Sequence, residues 1–310
     1  MRVMGIKEKI IKYISYQQNV MQVNFHKENV RDLYAHYSRT NRFLGISQET
    51  DSPDVAVSLT SFGDRINTVH LTIESLFMQT IKPREIILWL SDKEFANHSL
   101  PKSLLQKQSR GLTIAYCEDL RSYKKLVPYM KIAKSRNIIT VDDDIIYPCD
   151  MVENLWLEHL RHPMDVIFNR GRVIKFDSDN CVVPYHLWEN NANMTEGTFK
   201  NIPIGVGGVL YPEGSLNQRV TDVQCFKRLA PTADDLWFKA MTLLNHRVSR
   251  QTSFGKRILS DQDFQRQFVT IEDEQLQKLG TMNIIFDKND HQWKALDRYF
   301  NLSSIILEKE

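Results

Sequence analysis

Apolar positions change their period along the chain. From the start to about residue 45 they recur every three to four residues. Val3, Ile6, Ile10, Tyr13 and Ile14 are spaced this way, with Lys7, Lys9 and Lys12 between them. That spacing predicts an amphipathic helix. Two uses of such a helix are open: packing on the body of the protein, or resting a basic face on an anionic membrane surface. Turn-forming residues from Gln48 to Asp54 then close the segment. Residues 1–50 are read as an N-terminal helical extension and 51–310 as the main domain.

Beyond Val55 strands and helices alternate. Val55–Thr60, Glu85–Leu90, Gly111–Tyr116 and Asn137–Val141 are short β-rich runs, and residues 66–78 carry a helical period with Ile66, Val69, Ile73 and Leu76. Lys82-Pro83 stops that helix. The fourth run is uninterrupted in its apolar character, which predicts a central parallel strand buried on both faces. Strands alternating with helices imply βαβ units and an open, mostly parallel, Rossmann-like sheet flanked by helices. Ligands of such sheets bind beyond the carboxyl ends of the strands, and the polar residues of interest lie there.

Composition narrows the class. Forty Lys and Arg against 38 Asp and Glu leave a formal charge of +2, without the basic excess of a nucleic-acid binder. Cys117, Cys149, Cys181 and Cys225 are scattered, with no CxxC pair, and read as reduced, individually packed thiols of a cytoplasmic protein. The charged N-terminus lacks a secretory h-region. No uncharged apolar run reaches the ~18 residues that a bilayer span needs. The sequons at Asn97, Asn193 and Asn301 are therefore read as chance.

Val141 leads directly into Asp142-Asp143-Asp144. Extended backbone would place Asp142 and Asp144 on one face and Asp143 on the other. Neighbouring carboxylates repel unless a cation lies between them. An all-oxygen donor set suits Mg²⁺ or Mn²⁺, with water and phosphate completing the shell. A solvated acidic turn is the plainer alternative.

Four motifs occur in order: Val57-Ser-Leu-Thr-Ser-Phe-Gly-Asp-Arg65, the Asp142–Asp144 run, Gly205-Val-Gly-Gly-Val-Leu-Tyr-Pro212 and Ala233-Asp-Asp-Leu-Trp237. Together they resemble bacterial GT-A-fold, nucleotide-sugar-dependent glycosyltransferases, family-2-like enzymes of capsule and lipopolysaccharide loci. The resemblance spans roughly residues 54–300. It implies a nucleotide-sugar half at about 54–150 and an acceptor half at about 151–310. It further implies that Thr60, Ser61, Phe62 and Arg65 cradle the nucleoside and that Asp92 lies beside base and ribose. Within the acidic run, Asp142 would approach the ribose, with Asp143 beside it, and Asp144 would bind the metal together with Asp142.

Lys124 or Lys125 could touch the donor phosphates, or the pair could form a solvated helix start; Tyr123 could stack on the base. Trp188, among Tyr185, His186 and several asparagines, offers a sugar-stacking face, as an irregular surface loop also would. Trp237 is grouped with it. Gly205, Gly207 and Gly208 permit close backbone approach to a donor sugar, or a tight structural turn. Thr232 followed by Asp235 has capping-box spacing. The resemblance instead makes the second acid of the Asp234-Asp235 pair the catalytic group facing the acceptor, with Asp234 in reserve. His291 is a candidate metal ligand, and a strand-like run spans residues 282–286.

The expected activity is a hexosyltransferase using Mn²⁺ or Mg²⁺. It would pass a sugar from a nucleotide diphosphate, UDP-linked, to a glycan or lipid-linked acceptor at or near the cytoplasmic face of the inner membrane. A non-catalytic carbohydrate-binding protein on a transferase scaffold, and a metal-dependent nucleotidyltransferase or phosphohydrolase, are the alternatives.

Overall fold

The computed structural model describes residues 6–50, 52–97, 99–132, 137–190, 193–258, 260–271 and 288–309, with the backbone alone described for 6–19. The apolar stripe and lysines read before residue 15, and the run at 282–286, lie outside the described side chains or residues.

The expected α/β architecture is present. Strand β1 (Val55–Thr60) is followed by β2 (Glu85–Ser91), β3 (Leu112–Cys117), β4 (Asn137–Thr140), β5 (Ile145–Ile146), β6 (Val166–Phe168), β7 (Gly171–Val173), β8 (Asn201–Pro203), β9 (Val209–Tyr211), β10 (Ser249–Gln251) and β11 (Val269–Thr270). Among the described residues seven strands form one sheet in the order β10-β6-β9-β4-β1-β2-β3. β9 is antiparallel to β4 and β6, and the other pairings are parallel. β4 is central and buried as expected, but parallel on one side only.

The strands hold because every second residue feeds a different core. Val55, Val57 and Leu59 of β1 pack with Ile139 and Leu210 on one face. Ala56 packs with Ile138 and Tyr211 on the other. Both faces are covered by helices, so β1 reads as a continuous apolar run. The mixed register has a further consequence. Thr140 pairs with Val209, so the chain just before β9 lies at the same sheet edge as the chain just after β4. Phe168 also pairs with Val209, which brings residues 169–170 there too.

Helix α1 (Ile6–Thr40) packs along α2 (Val69–Phe77). Val30, Tyr34 and Ala35 lie against Leu71, Ile146, Val269 and Ile271. The described part of the extension thus packs on the domain. No helix among the described residues is long and apolar enough to cross a membrane. Cys149 and Cys181 are exposed, correcting their reading as packed thiols, and all four cysteines are free.

Candidate functional site

The acidic run does not continue β4 as extended chain. The strand ends at Thr140, and Asp143 and Asp144 lie in a turn before β5. Period-two geometry therefore fails, and the three carboxylates part company. Asp143 points inward, 4% exposed. Its Oδ2 accepts from Ser61 Oγ at 2.6 Å and its Oδ1 from Arg65 Nη1 at 3.0 Å. Arg65 also reaches Asp144 Oδ2 at 3.2 Å. Burial raises the Asp143 carboxyl to about 7 despite the opposing Arg65 charge. The turn itself is pinned by Thr72 Oγ1 donating to the Asp143 carbonyl and Ile271 N–H donating to that of Asp144, each at 2.8 Å.

Asp142 turns the other way. Its Oδ1 accepts from Lys125 Nζ at 2.9 Å, and its N–H donates to the Tyr147 hydroxyl at 2.9 Å. Lys125 comes from a single 3₁₀ turn, Arg121–Lys125. Residues three apart on such a turn share a face, and Ser122 and Lys125 both meet Asp234. Ser122 Oγ donates to Oδ1 at 2.9 Å, and Lys125 Nζ lies 3.0 Å from Oδ2. Burial disfavours the Lys125 ammonium, yet Asp142, Asp234 and Asp235 outweigh that cost and hold it protonated well above the ordinary lysine range.

Asp235 completes the group. The helix Asp234–Leu244 starts after Ala233, whose side chain makes no capping bond. Thr232 is engaged elsewhere: its N–H donates to Gln292 Oε1 at 2.8 Å, and its hydroxyl accepts from Gln292 Nε2 at 3.0 Å. The capping-box reading is thereby corrected. Both Asp235 oxygens instead accept from Gly205 N–H at 3.2 Å. Its side chain is recessed but partly open to solvent. Burial first, then the neighbouring Asp234 charge, raises its carboxyl to about 7, against the pull of Lys125. Gly205 keeps this approach close: a Cβ would sit 2.8 Å from Lys125 Nζ and 3.2 Å from Asp235 Oδ1, and those side chains would have to give way.

Several expected contacts are corrected. Tyr123 is 1% exposed and stacked on Phe226 at 4.0 Å between ring centroids, with its hydroxyl donating to the Ala230 carbonyl, so no base can stack on it. Lys124 is buried and paired with Asp119 at 3.0 Å, so neither lysine belongs to a solvated pair. Ser61 is fully buried on Asp143 rather than facing a nucleoside. Trp188 and Trp237 are core residues, their indole N–H groups donating to the Val183 and Val220 carbonyls at 2.9 and 3.1 Å.

Gly207 is pressed on Arg170, where a Cβ would lie 2.9 Å from its backbone nitrogen. Gly208 takes φ +82° with the space for a Cβ only 3.0 Å from Met151 Sδ. Both serve the turn into β9. Thr60 donates to the Trp89 carbonyl at 2.8 Å, Phe62 is exposed under the Arg65 guanidinium at 5.3 Å, and Asp92 is exposed just after β2. His291 is exposed on the helix Lys288–Phe300. Among the described residues no three His, Cys, Asp or Glu side chains gather as a metal cage, with or without it.

Ser122 and Tyr147 are site residues that the sequence reading did not single out, whereas Gly205 was among its candidates for close backbone approach. The Ser122–Lys125 spacing was the available signal for the first.

The donor chemistry still suits a hard cation. Five carboxylates (Asp142, Asp143, Asp144, Asp234, Asp235) surround two fixed cations, Lys125 and Arg65. The excess is negative and all-oxygen. Without a full protein cage, it fits an ion that draws most of its shell from phosphate and water.

No protein-family model matches the chain, and no curated protein matches it. Among solved structures, the chain is similar to S. aureus TarS 1–349, at 15% identity and TM-score 0.40 over 64% of this chain. It spans 57% of that structure's length. It is also similar to the mannosyltransferase PcManGT from Pyrobaculum calidifontis in complex with GDP-Man and Mn²⁺. That likeness is at 12% identity and TM-score 0.41, over 94% of this chain and 85% of the other.

Proposed function

We propose that this chain is a GT-A-type glycosyltransferase that moves a hexose from a nucleotide-diphosphate donor, UDP-linked, to a hydroxyl of a glycan or lipid-linked acceptor in bacterial surface polysaccharide synthesis. One observation carries the reading. Asp142, Asp234 and Asp235, from two distant stretches of chain, converge on Lys125 at the carboxyl edge of the sheet, with Gly205 backbone against them. That edge is where open α/β sheets bind nucleotides.

The parts divide the work. Thr60, Phe62 and Asp92, at the ends of β1 and β2, border the nucleoside. Asp144 would hold Mg²⁺ or Mn²⁺, with phosphate and water completing its shell, and the ion would neutralise the diphosphate leaving group. Asp143 and Arg65 set the turn that presents Asp144, while Asp142 is drawn away to Lys125. Lys125 bridges Asp142 and Asp234. Asp235 accepts the proton of the acceptor hydroxyl while that oxygen bonds the anomeric carbon and the bond from carbon to diphosphate oxygen breaks. The carboxylate is held against Gly205 N–H, so it is aimed before substrate arrives.

Melting temperature measured with UDP-, GDP- and CMP-sugars, with and without Mn²⁺, tests the donor class. A rise with one nucleotide only when metal is present is expected. Excess EDTA should abolish transfer, and Mn²⁺ or Mg²⁺ should restore it. Asp144→Ala should stay folded and lose nucleotide affinity. Full activity of that variant in chelator would remove the metal from the scheme.

A further inference from the structure

Away from the acidic edge, the last turn of α1 meets the 106–110 segment around a cleft of about 180 Å³ lined wholly by polar residues: Ser38, Asn41, Arg42, Gln106, Lys107, Ser109 and Arg110. The ground beneath it is cationic. Glu74, fully buried, receives Lys107 Nζ at 2.6 Å and Arg110 Nη1 and Nη2 at 2.7 and 3.0 Å. Those two cations already exceed its single charge. Lys82 lies close to the same group, its ammonium 5.2 Å over the Phe43 ring that Arg110 covers at 4.9 Å. Arg42 stands exposed at the mouth, one guanidinium nitrogen donating to the Arg39 and Asn41 carbonyls at 2.8 Å each.

Burial lowers Lys107 and Lys82, and the nearby guanidinium charges lower both further, although Glu74 opposes them. His70, hydrogen-bonded to Ser38 at 2.8 Å, falls to about 4 through burial and the charge of Lys107. The rim is of another kind. Phe43, Leu44 and Leu105 flank the lining residues and are 44%, 50% and 41% exposed.

We infer that this cleft binds a phosphate-bearing anion, with exposed Arg42 and Ser109 making the direct contacts and the buried Lys107 and Arg110 supplying the surplus of positive charge beneath them. The ligand chemistry is that of a phosphate monoester or diester. It can reach the protein as a free anion or as a lipid headgroup, and the apolar rim favours the headgroup, since acyl chains beside it would cover Phe43, Leu44 and Leu105. The inference stands apart from the proposed catalytic reading and uses none of its residues.

The test uses the full chain, Arg42→Glu and Ser109→Asp, both at the cleft and neither among the Glu74 contacts. Unchanged melting temperatures in chloride establish that the variants are folded. Inorganic phosphate should raise the wild-type melting temperature above a chloride control of equal ionic strength, and raise neither variant. In co-sedimentation, phosphatidylglycerol vesicles should retain the wild type, and phosphatidylcholine vesicles should not. Reversing Arg42 should weaken the phosphatidylglycerol interaction roughly thirty-fold. A phosphate effect without vesicle binding supports the site with a soluble anion as its ligand. If wild type and both variants respond alike to phosphate and to phosphatidylglycerol, the site does not exist.

Discussion

Asp235→Asn lowers turnover by roughly 10²–10⁴-fold, the usual worth of a positioned general base, with donor-nucleotide affinity nearly unchanged. The asparagine amide oxygen can still accept from Gly205 N–H, which Asp235 now engages at 3.2 Å, so little stability should be lost. A carboxylate at a helix N-terminus is ordinarily held acidic and is a weak base. Here burial, then Asp234, overrides that tendency and lifts Asp235 to about 7. The active form is the ionised one, so turnover should rise with pH up to about 7 and level off above it. The variant should lack that limb. Asp234→Asn should do much less to turnover, because Asp234 is occupied by Ser122 and Lys125. A folded Asp235→Asn with normal turnover and an unchanged pH profile would leave Asp235 a structural partner of Gly205.

The sequence made the first half of the sheet legible and the second half opaque, for a physical reason. β1, β2 and β3 are six or seven residues long and β4 four, so their apolar runs stand out. β6, β9 and β10 have three residues each. Three residues are too few to display a period, and such strands exist only because tertiary pairing supplies their partners.

Site residues followed a similar rule. Local patterns misled wherever a distant partner decided the outcome. Thr232 had the spacing of a cap but is bound to Gln292, sixty residues on. The acids after β4 read as extended chain, yet Arg65 and Lys125 draw them to opposite sides. Trp188 and Trp237 sat among polar or acidic neighbours and read as sugar platforms, but large aromatic faces find more free energy in the core. Trp188 meets Trp293 edge-on at 5.2 Å, and Trp237 meets Phe226 at 5.8 Å. Lys125 was visible as a candidate, although its partners, and hence its role, were not.

Lys125→Met should cost about 3–5 kcal/mol of folding stability near neutral pH, the usual penalty for removing one member of a buried ionic group. Methionine fills a similar volume with a flexible stem, so the change isolates the charge rather than the packing. The loss should depend on pH in a definite direction. Lys125 lies 2.9 Å from Asp142 and 3.0 Å from Asp234, with Asp235 close enough to raise its pKa further. Without the ammonium, Asp235, already raised to about 7, loses the cation that opposes that rise and takes up its proton still more readily than an Asp of the unfolded chain, which titrates near ~3.9. Folding that binds protons is favoured as pH falls. The deficit against wild type should therefore shrink from pH 8 towards pH 5 and widen again on return. Urea unfolding of both proteins at the two pH values measures it. Lys125→Arg, which restores charge but must fit a larger head beside Gly205, should recover part of the stability at pH 8. Equal stability of Lys125→Met and wild type at pH 8 would mean that the carboxylates are held together by something other than this lysine, and the account of the site given by its geometry would fall with it.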